Sequence, residues 1–95
     1  MAKVFIKARV TYPGIFITTL TTQAAIRARG GGRSLTTGVD VANPNVAYVI
    51  VDWESTASAT RFWNSGEARV VMNEWKTIGP PEVVVLQESP IDGEL

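Results

Sequence analysis

The sequence predicts a single α+β domain whose elements alternate in the order β-α-β-β-α-β. Three observations lead to this prediction. An N-terminal segment alternates between apolar and polar residues, two later segments are apolar on both strand faces, and two longer segments carry apolar residues at helical spacing. The chain has 95 residues, which is the size of one small domain. We expect residues 1–89 to form that domain and residues 90–95 to be a polar tail.

The first strand is predicted over Lys3–Tyr12, because apolar residues occupy every second position. A strand with this pattern buries one face and leaves the other polar. The apolar face comprises Val4, Ile6, Ala8, Val10 and Tyr12, and the opposite face comprises Lys7, Arg9 and Thr11.

The segment after Pro13-Gly14 has features of both a strand and a helix. Its β-branched residues favour a strand, but a Pro-Gly turn would splay the two strands of a hairpin. Apolar residues also recur at helical spacing, so we predict a helix over Gly14–Ala28. We interpret Gly30-Gly31-Gly32 as the end of that helix, because glycines that bind phosphate precede a helix. The apolar stripe comprises Ile17, Leu20, Ala24 and Ala28.

Two strands follow, and the turn residues Asn43-Pro44-Asn45 separate them. The segment Arg33–Val41 alternates, whereas Val46–Trp53 is apolar on both faces. A strand of the second kind is usually covered on both sides. The short connection predicts that these strands form an antiparallel hairpin.

The second helical segment is predicted over Ser55–Lys76, with Ser55 among the candidates for its N-cap. Ser65-Gly66 predicts a break, after which Ser65 caps a second part. Gly79-Pro80 ends the segment, since glycine followed by proline is typical beyond a helix. The last strand, predicted over Glu82–Glu88, is again apolar on both faces.

This order of elements is the ferredoxin-like plan, with a four-stranded antiparallel sheet. Two helical segments cover only one face of such a sheet, yet its third and fourth strands are apolar on both faces. An uncovered face would be a large apolar patch in contact with water. The simplest cover is a second copy, so the strand pattern predicts a homodimer joined through the sheet face.

The composition excludes several classes of function. Nine basic and nine acidic residues leave no net charge, so we expect no nucleic-acid partner and no anionic membrane surface. No apolar run approaches the roughly 20 residues of a membrane span. Without cysteine or histidine, the chain has no thiolate, no Ser-His-Asp triad and no histidine-ligated metal or haem. We expect no metal and no cofactor. Since Met1-Ala2-Lys3 leads directly into a strand, we expect a cytoplasmic protein.

A family resemblance rests on strand ends, helix caps and aromatic residues distributed over Lys3–Glu88. The sequence resembles the dimeric α+β barrel superfamily, in particular its antibiotic-biosynthesis-monooxygenase-like and stress-responsive branches. The resemblance implies that two ferredoxin-like subunits join their sheets, in agreement with the homodimer. The residues that carry it are Asn43-Pro44-Asn45, Val51-Asp52-Trp53-Glu54-Ser55, Ala59, Phe62, Ser65, Glu67, Met72, Gly79 and Val83.

The resemblance implies two alternative functions. One is a cofactor-independent monooxygenase acting on a small aromatic or polyketide-like substrate. The other is a non-catalytic barrel that binds a small hydrophobic or aromatic molecule, or that serves in a stress response. A third hypothesis, from the residues alone, is a purely structural dimer whose tryptophans pack its cavity shut.

Active members of that superfamily commonly have a pocket between the sheet and the helices. The resemblance therefore implies catalytic candidates Trp63, Asn64 and Tyr48. A buried indole N–H needs an acceptor, which a ligand could supply, and an amide beside an apolar pocket can stabilise an oxyanion. The candidates for substrate binding are Tyr12, Arg9, Phe16, Trp53, Phe62 and Trp75.

Each candidate also has a structural interpretation. Aromatic residues at helical spacing usually build the core. Asn64 can end the first part of the second helical segment, as asparagine often does. Tyr12 and Tyr48 are equally well explained as residues that pack across strands.

The charged residues near the first strand have two interpretations. Lys7 and Arg9 are expected to pair with Asp52 or Glu54, or to bind an acidic substrate if they face a barrel interior. Asp52 is the best candidate for a carboxylate base, because an acid within an apolar strand is costly unless it is paired. Asp40 on the neighbouring strand is a weaker candidate.

Overall fold

The computed structural model of the protein describes residues 2–87. Eight elements follow one another in the predicted order, each predicted helical segment being divided in two. The predicted end of the last strand at Glu88 and the predicted tail over residues 90–95 lie outside the described residues. The elements are β1 (Ala2–Arg9), α1 (Pro13–Thr22), α2 (Ala24–Gly30), β2 (Gly32–Val39), β3 (Val46–Trp53), α3 (Thr56–Trp63), α4 (Gly66–Asn73) and β4 (Glu82–Gln87).

The four strands form one antiparallel sheet in the order β2-β3-β1-β4. This confirms the ferredoxin-like α+β fold. The register places Val4 of β1 between Val51 and Val85, and it places Ile6 beside Val49. The apolar face of β1 therefore lies in the middle of the helix-covered face. None of the helices in residues 2–87 is both long enough and apolar enough to cross a membrane.

The first helical segment differs from the single helix predicted over Gly14–Ala28. It is divided at Gln23 into α1 and α2. In α1, Thr18, Thr19 and Thr21 donate their hydroxyl groups to carbonyl oxygens of the same helix, a contact that weakens and bends a helix. Gln23 itself turns its side chain into the interior, with 2% of its surface exposed. Gly31 ends α2 in the left-handed conformation, so the predicted helix stop is confirmed.

The second helical segment breaks where the sequence predicted. The hydroxyl oxygens of Ser55 and Ser65 accept hydrogen bonds from the backbone N–H groups of Ser58 and Ala68. These two N-caps begin α3 and α4. The second part ends at Asn73, three residues before the predicted end, and the chain then leaves the helical path.

The first strand ends earlier than predicted. β1 stops at Arg9, and Val10 makes only an isolated bridge to Thr77. Tyr12 is the N-cap residue of α1 and is 67% exposed. The prediction that Tyr12 shares the buried face of the strand is therefore wrong, because the chain has turned away from the sheet before Pro13.

Two ion pairs also differ from expectation. The antiparallel register places Lys3 opposite Asp52, and their side chains pair at 2.5 Å. Glu54 pairs with Arg33 across 2.6 Å. The predicted pairing of Lys7 or Arg9 with these acids is wrong, because a strand register is set by partners distant in sequence.

Candidate functional site

An aromatic cluster fills the layer between the sheet and the helices. Trp63, at the end of α3, lies at its centre. Its ring centroid is 5.1 Å from that of Phe62, 5.8 Å from that of Trp53 and 6.1 Å from that of Trp75. Phe16 of α1 extends the cluster, with its ring 5.6 Å from Trp75 in an edge-to-face arrangement. The structure thus brings together five of the nine catalytic and substrate-binding candidates, and all five are buried.

The three indole N–H groups of the cluster differ in whether they have a hydrogen-bond acceptor. Trp53 Nε1 donates to the carbonyl oxygen of Gly30 at 3.0 Å, and Trp75 Nε1 donates to Oε1 of Gln23 at 2.8 Å. Trp63 Nε1 is sealed from solvent and has no hydrogen-bond acceptor within residues 2–87. A buried donor without an acceptor costs about 1–3 kcal/mol. Within the described part of the chain, the Trp63 indole is therefore a buried donor without an acceptor.

Sequence reasoning missed the role of Gln23. Its amide group accepts from Trp75 and donates from Nε2 to the carbonyl oxygen of Val71 at 3.0 Å and to Glu74 at 3.1 Å. Through these three hydrogen bonds, Gln23 connects the α1–α2 junction to the end of α4. The one available signal was its position on the same helical stripe as Leu20, but polar residues on such a stripe are rarely buried.

The other two catalytic candidates lie outside the aromatic cluster. Asn64 is exposed at the end of α3, where its backbone N–H donates to Thr60. Tyr48 lies on the open face of the sheet, with its ring centroid 5.9 Å from that of Phe5. Arg9 is exposed on that same face. The Trp63 side chain therefore lies apart from those of Asn64 and Tyr48, the two residues that were predicted to act with it.

Two surface grooves border the cluster. The first has a volume of about 210 Å³ and lies between α1 and the chain after α4, with Tyr12, Phe16 and Trp75 in its wall. The second measures about 480 Å³ and includes Phe62. Trp63 and Asn64 belong to the lining of neither groove. The rings on both sides of Trp63 thus meet open space, while its indole nitrogen does not.

Two further grooves lie beside the loop that precedes β4. One of about 510 Å³ is lined by Arg69, Lys76 and Pro80, and another of about 340 Å³ by Lys7 and Arg9. Both are open and carry basic residues at their edges. Within residues 2–87, no three acidic residues come together in a group that could hold a metal ion.

Asp52, the candidate carboxylate base, is held by two partners on the open face. Lys3 donates to Oδ1, and the Ser34 hydroxyl donates to Oδ2 at 2.6 Å. The hydrogen bond from Lys3, followed by that from Ser34, lowers the pKa of Asp52 below its ordinary value. A carboxylate with a lowered pKa is a weaker base, so this arrangement favours an ion pair over proton abstraction.

Comparison with solved structures identifies the fold. No family model and no curated protein matches the sequence. A protein of Bordetella bronchiseptica named for the antibiotic biosynthesis monooxygenases superposes with a TM-score of 0.76, at 16% identity, over 93% of this chain and 96% of that one. SnoaB, a cofactor-independent oxygenase from Streptomyces nogalater, superposes with a TM-score of 0.70, at 16% identity, over 98% and 96%.

A conserved protein from Methanosarcina mazei Go1 is also similar, with a TM-score of 0.68 and 13% identity over 93% of this chain and 92% of that one. Identities this low show a shared fold and leave the chemistry open. The superpositions nevertheless extend over nearly the whole of each chain. The protein has the ferredoxin-like α+β fold of the antibiotic biosynthesis monooxygenase structures, which confirms the resemblance indicated by its sequence.

Proposed function

We propose that this protein is a homodimeric α+β barrel oxygenase that acts without a cofactor on a small aromatic or polyketide-like substrate. The observation that carries the proposal is the sealed and unpartnered indole N–H of Trp63. A substrate oxygen would supply the acceptor that residues 2–87 do not provide. The fold shared with SnoaB, a cofactor-independent oxygenase, supports this class of reaction.

The chemistry requires little from the protein. A methylene group that is conjugated through an aromatic ring to a carbonyl group loses a proton to solvent and becomes a carbanion. The carbanion reduces O₂ and forms a C–O bond, and after protonation the hydroperoxide loses water to leave a ketone. One oxygen atom enters the product and the other enters water. The Trp63 N–H would stabilise the enolate oxygen on which the carbanion charge resides.

Access to Trp63 requires a movement of neighbouring rings. The groove beside Phe16 and Trp75 has a volume of about 210 Å³, whereas ligand sites usually measure about 300–1,000 Å³. A change of rotamer at Phe16 or Trp75 would join this groove to the space around Trp63. Tyr12 lies at the rim of the groove and would contact a substrate as it enters.

Asn64 and Tyr48 have different roles in this proposal. Asn64 follows Trp63 at the exposed end of α3, from where its amide would orient a substrate carbonyl. Tyr48 lies on the opposite face of the sheet and would reach only a molecule inside a barrel formed by two subunits. Asn64→Ala should then abolish turnover with the fold intact, and unchanged turnover would remove Asn64 from the site.

The open face of the sheet supports the homodimer. Ile50, Val84 and Leu86 are each more than 40% exposed in the single subunit. Phe5 and Tyr48 pack against each other on the same face. A contiguous apolar surface of this kind marks an interface, and a second sheet offers the same surface in return.

Oxygen uptake with anthrone, a tricyclic ketone whose acidic methylene group lies between two aromatic rings, tests the oxygenase. We expect the wild-type protein to consume O₂ and form the anthraquinone. Trp63→Phe should keep the ring packing and lower kcat by about 100-fold, the usual loss when one such donor is removed. Val70→Ala, at an exposed position of α4, is the matched control and should keep full activity. Equal rates in Trp63→Phe and wild type would reject the role of Trp63.

The alternative function is non-catalytic binding of a small aromatic molecule. Phe62 and Trp63 pack edge to face, with an interplanar angle of 80°. This contact favours the alternative, because the two rings already stabilise each other in the free protein and need no reacting substrate. This alternative predicts that anthrone quenches tryptophan fluorescence without consuming O₂. Fluorescence and oxygen uptake measured on the same sample distinguish the two functions.

A further inference from the structure

Lys76 follows the end of α4 and lines two surface grooves. The smaller groove, of about 210 Å³, has an aromatic wall that includes Phe16 and Trp75. The larger groove, of about 510 Å³, is also lined by Arg69 and Pro80. Because one residue borders both, the two grooves are neighbours, and a molecule in the smaller groove can extend past Lys76 into the larger one.

The backbone of Lys76 has a φ of 55°, in the left-handed region that favours glycine. Gly31 has this conformation at the end of α2. At Lys76 the left-handed turn takes the chain out of the helical path, and the next residue, Thr77, bridges to Val10. Glycine would make the same turn without strain, so the turn does not explain a lysine. Strained residues of this kind concentrate at binding and active sites, and we therefore expect the lysine side chain to have a function of its own.

The larger groove carries two positive charges and no negative one among its described lining residues. Arg69 and Lys76 are both exposed, and neither forms an ion pair within residues 2–87. Glu74, which lies two positions before Lys76, accepts a hydrogen bond from Nε2 of Gln23. Two cations without a counter-charge make the groove attractive to an anion, and their exposure leaves the anion a path to them.

This groove differs in two respects from an ordinary charged surface, where water alone solvates most lysines and arginines. Its volume lies within the range of about 300–1,000 Å³ that is usual for ligand sites. Its cations also border apolar surface, which Met72 and Pro81 provide in the larger groove and the aromatic rings provide in the smaller one. Apolar surface beside two cations favours an organic anion over a fully hydrated inorganic one.

We propose that the two grooves form one binding site for an aromatic carboxylic acid. Its rings pack against Phe16 and Trp75 in the smaller groove. Its carboxylate lies in the larger groove, where Arg69 and Lys76 donate hydrogen bonds to it. Hydrogen bonds between a cation and a carboxylate are about twice as strong as those between neutral groups. For the proposed oxygenase, the site adds an acidic group to the aromatic substrate, and in that respect the inference rests on the proposed function.

Titration of the full chain with 2-naphthoate, followed by NMR, tests the site. We expect the indole N–H of Trp75 and the backbone N–H of Thr77 to shift saturably with the same Kd, because these two groups report on the two grooves. 2-Naphthamide has the same rings without the charge, so it should bind at least about fivefold more weakly. Equal affinities for the two compounds, or shifts at Trp75 alone, would overturn the carboxylate site.

Two substitutions test the contacts to the carboxylate. Arg69→Gln and Lys76→Gln should each raise the Kd for 2-naphthoate about threefold or more and leave the Kd for 2-naphthamide unchanged. Lys76→Gln keeps a side chain on the strained backbone, so it changes the charge without relieving the strain. Arg61→Gln, which removes an exposed arginine from the wall of a different groove, is the matched control and should change neither Kd. An unchanged Kd for 2-naphthoate in either of the first two variants would overturn the proposed contacts.

Lys76→Gly separates ligand binding from a purely structural role at the end of α4. Glycine relieves the backbone strain, so Tm without ligand should rise by about 4 °C while the Kd for 2-naphthoate increases. A lowered Tm together with an unchanged Kd would show that the lysine serves only the helix end, and it would overturn the proposal.

The binding measurement does not depend on oxygenation, because 2-naphthoate has no acidic methylene group to be oxidised. Oxygen uptake with anthrone, which is uncharged, tests the reaction without the anion site. Binding of 2-naphthoate without oxygen uptake would reject the oxygenase and keep the site. Oxygen uptake without binding of 2-naphthoate would reject the site and keep the oxygenase.

Discussion

The two faces of the sheet consist of the same strands but differ in how completely the subunit covers them. On the helix-covered face, Ile6 and Val49 are fully buried. On the open face, Ile50, Val84 and Leu86 are 41%, 44% and 47% exposed. Val49 and Ile50 are neighbours in β3, yet Val49 lies in the closed core and Ile50 lies on an apolar surface that is exposed to water in the single subunit.

The difference teaches that apolar strand residues do not by themselves make a core. The helices determine which face is buried, and the other face stays open in the single subunit. Polar groups follow the same division. On the covered face, Gln23 and Trp75 have fixed partners, whereas Trp63 Nε1 has none among residues 2–87. The open face carries the partly exposed ion pair of Lys3 and Asp52.

The largest expected effect comes from two isoleucines on opposite faces. Ile6→Ala should reduce the free energy of unfolding by about 2–5 kcal/mol, because it opens a cavity in a close-packed core. Ile50→Ala should cost less than about 0.5 kcal/mol in the monomer, as at most surface positions. Urea denaturation at low protein concentration measures both. Similar losses would show that the open face is already covered in the subunit.

A smaller effect is expected within the covered face, where two tryptophans can be compared. Trp75→Phe deprives Oε1 of Gln23 of its donor and should cost about 1–3 kcal/mol beyond the loss of ring area. Trp63→Phe removes a donor that has no acceptor within residues 2–87, so it should cost less by about 1 kcal/mol. Equal losses in urea denaturation would mean that the Trp63 N–H is hydrogen-bonded in solution.

The open face can be tested by introducing a charge into it. Ile50→Lys should raise the dissociation constant of the proposed homodimer at least about tenfold, or about 1.4 kcal/mol, because the interface would then bury an unpaired cation. Sedimentation equilibrium measures the change. Val70→Lys, on the outer surface of α4, serves as the control and should leave the association unchanged. A wild-type protein that is monomeric at all concentrations would refute the homodimer.

The smallest effect concerns the pH dependence of the Lys3–Asp52 pair. Because its partners lower the pKa of Asp52 in the folded protein, its contribution to stability is present above the unfolded value of about 3.8 and disappears as the pH falls through the folded pKa. Tm measured from pH 6 downwards should therefore differ between wild type and Asp52→Asn only at the higher pH values. A difference that increases with protein concentration would indicate that the dimer buries the pair. A difference that persists at the lowest pH would contradict the assignment.

Much of the fold could be predicted from local patterns. The strand Val46–Trp53 was predicted with its observed bounds, and the break at Ser65 follows from the ability of a serine hydroxyl to cap a helix. The stop at Gly31 follows from the left-handed conformation that glycine adopts readily. Each of these signals depends on residues within a few positions of one another.

The candidate site was predictable only in part. Aromatic residues at helical spacing indicated that Trp63 and Trp75 share a cluster, but not which indole N–H would lack an acceptor. The partner of Trp75 is Gln23, 52 positions away in the sequence. Asn64 directly follows Trp63 yet faces solvent, because neighbouring residues on a helix point about 100° apart.

The sequence by itself determined the order of the elements, the alternation that assigns residues to sheet faces, and most helix ends, because these depend on short-range periodicity and backbone conformation. Only the tertiary structure decided the division of the first helical segment at Gln23, the pairing of Lys3 with Asp52, and the burial of Arg27. These features depend on strand register and on contacts between segments far apart in the chain, and no local pattern encodes them.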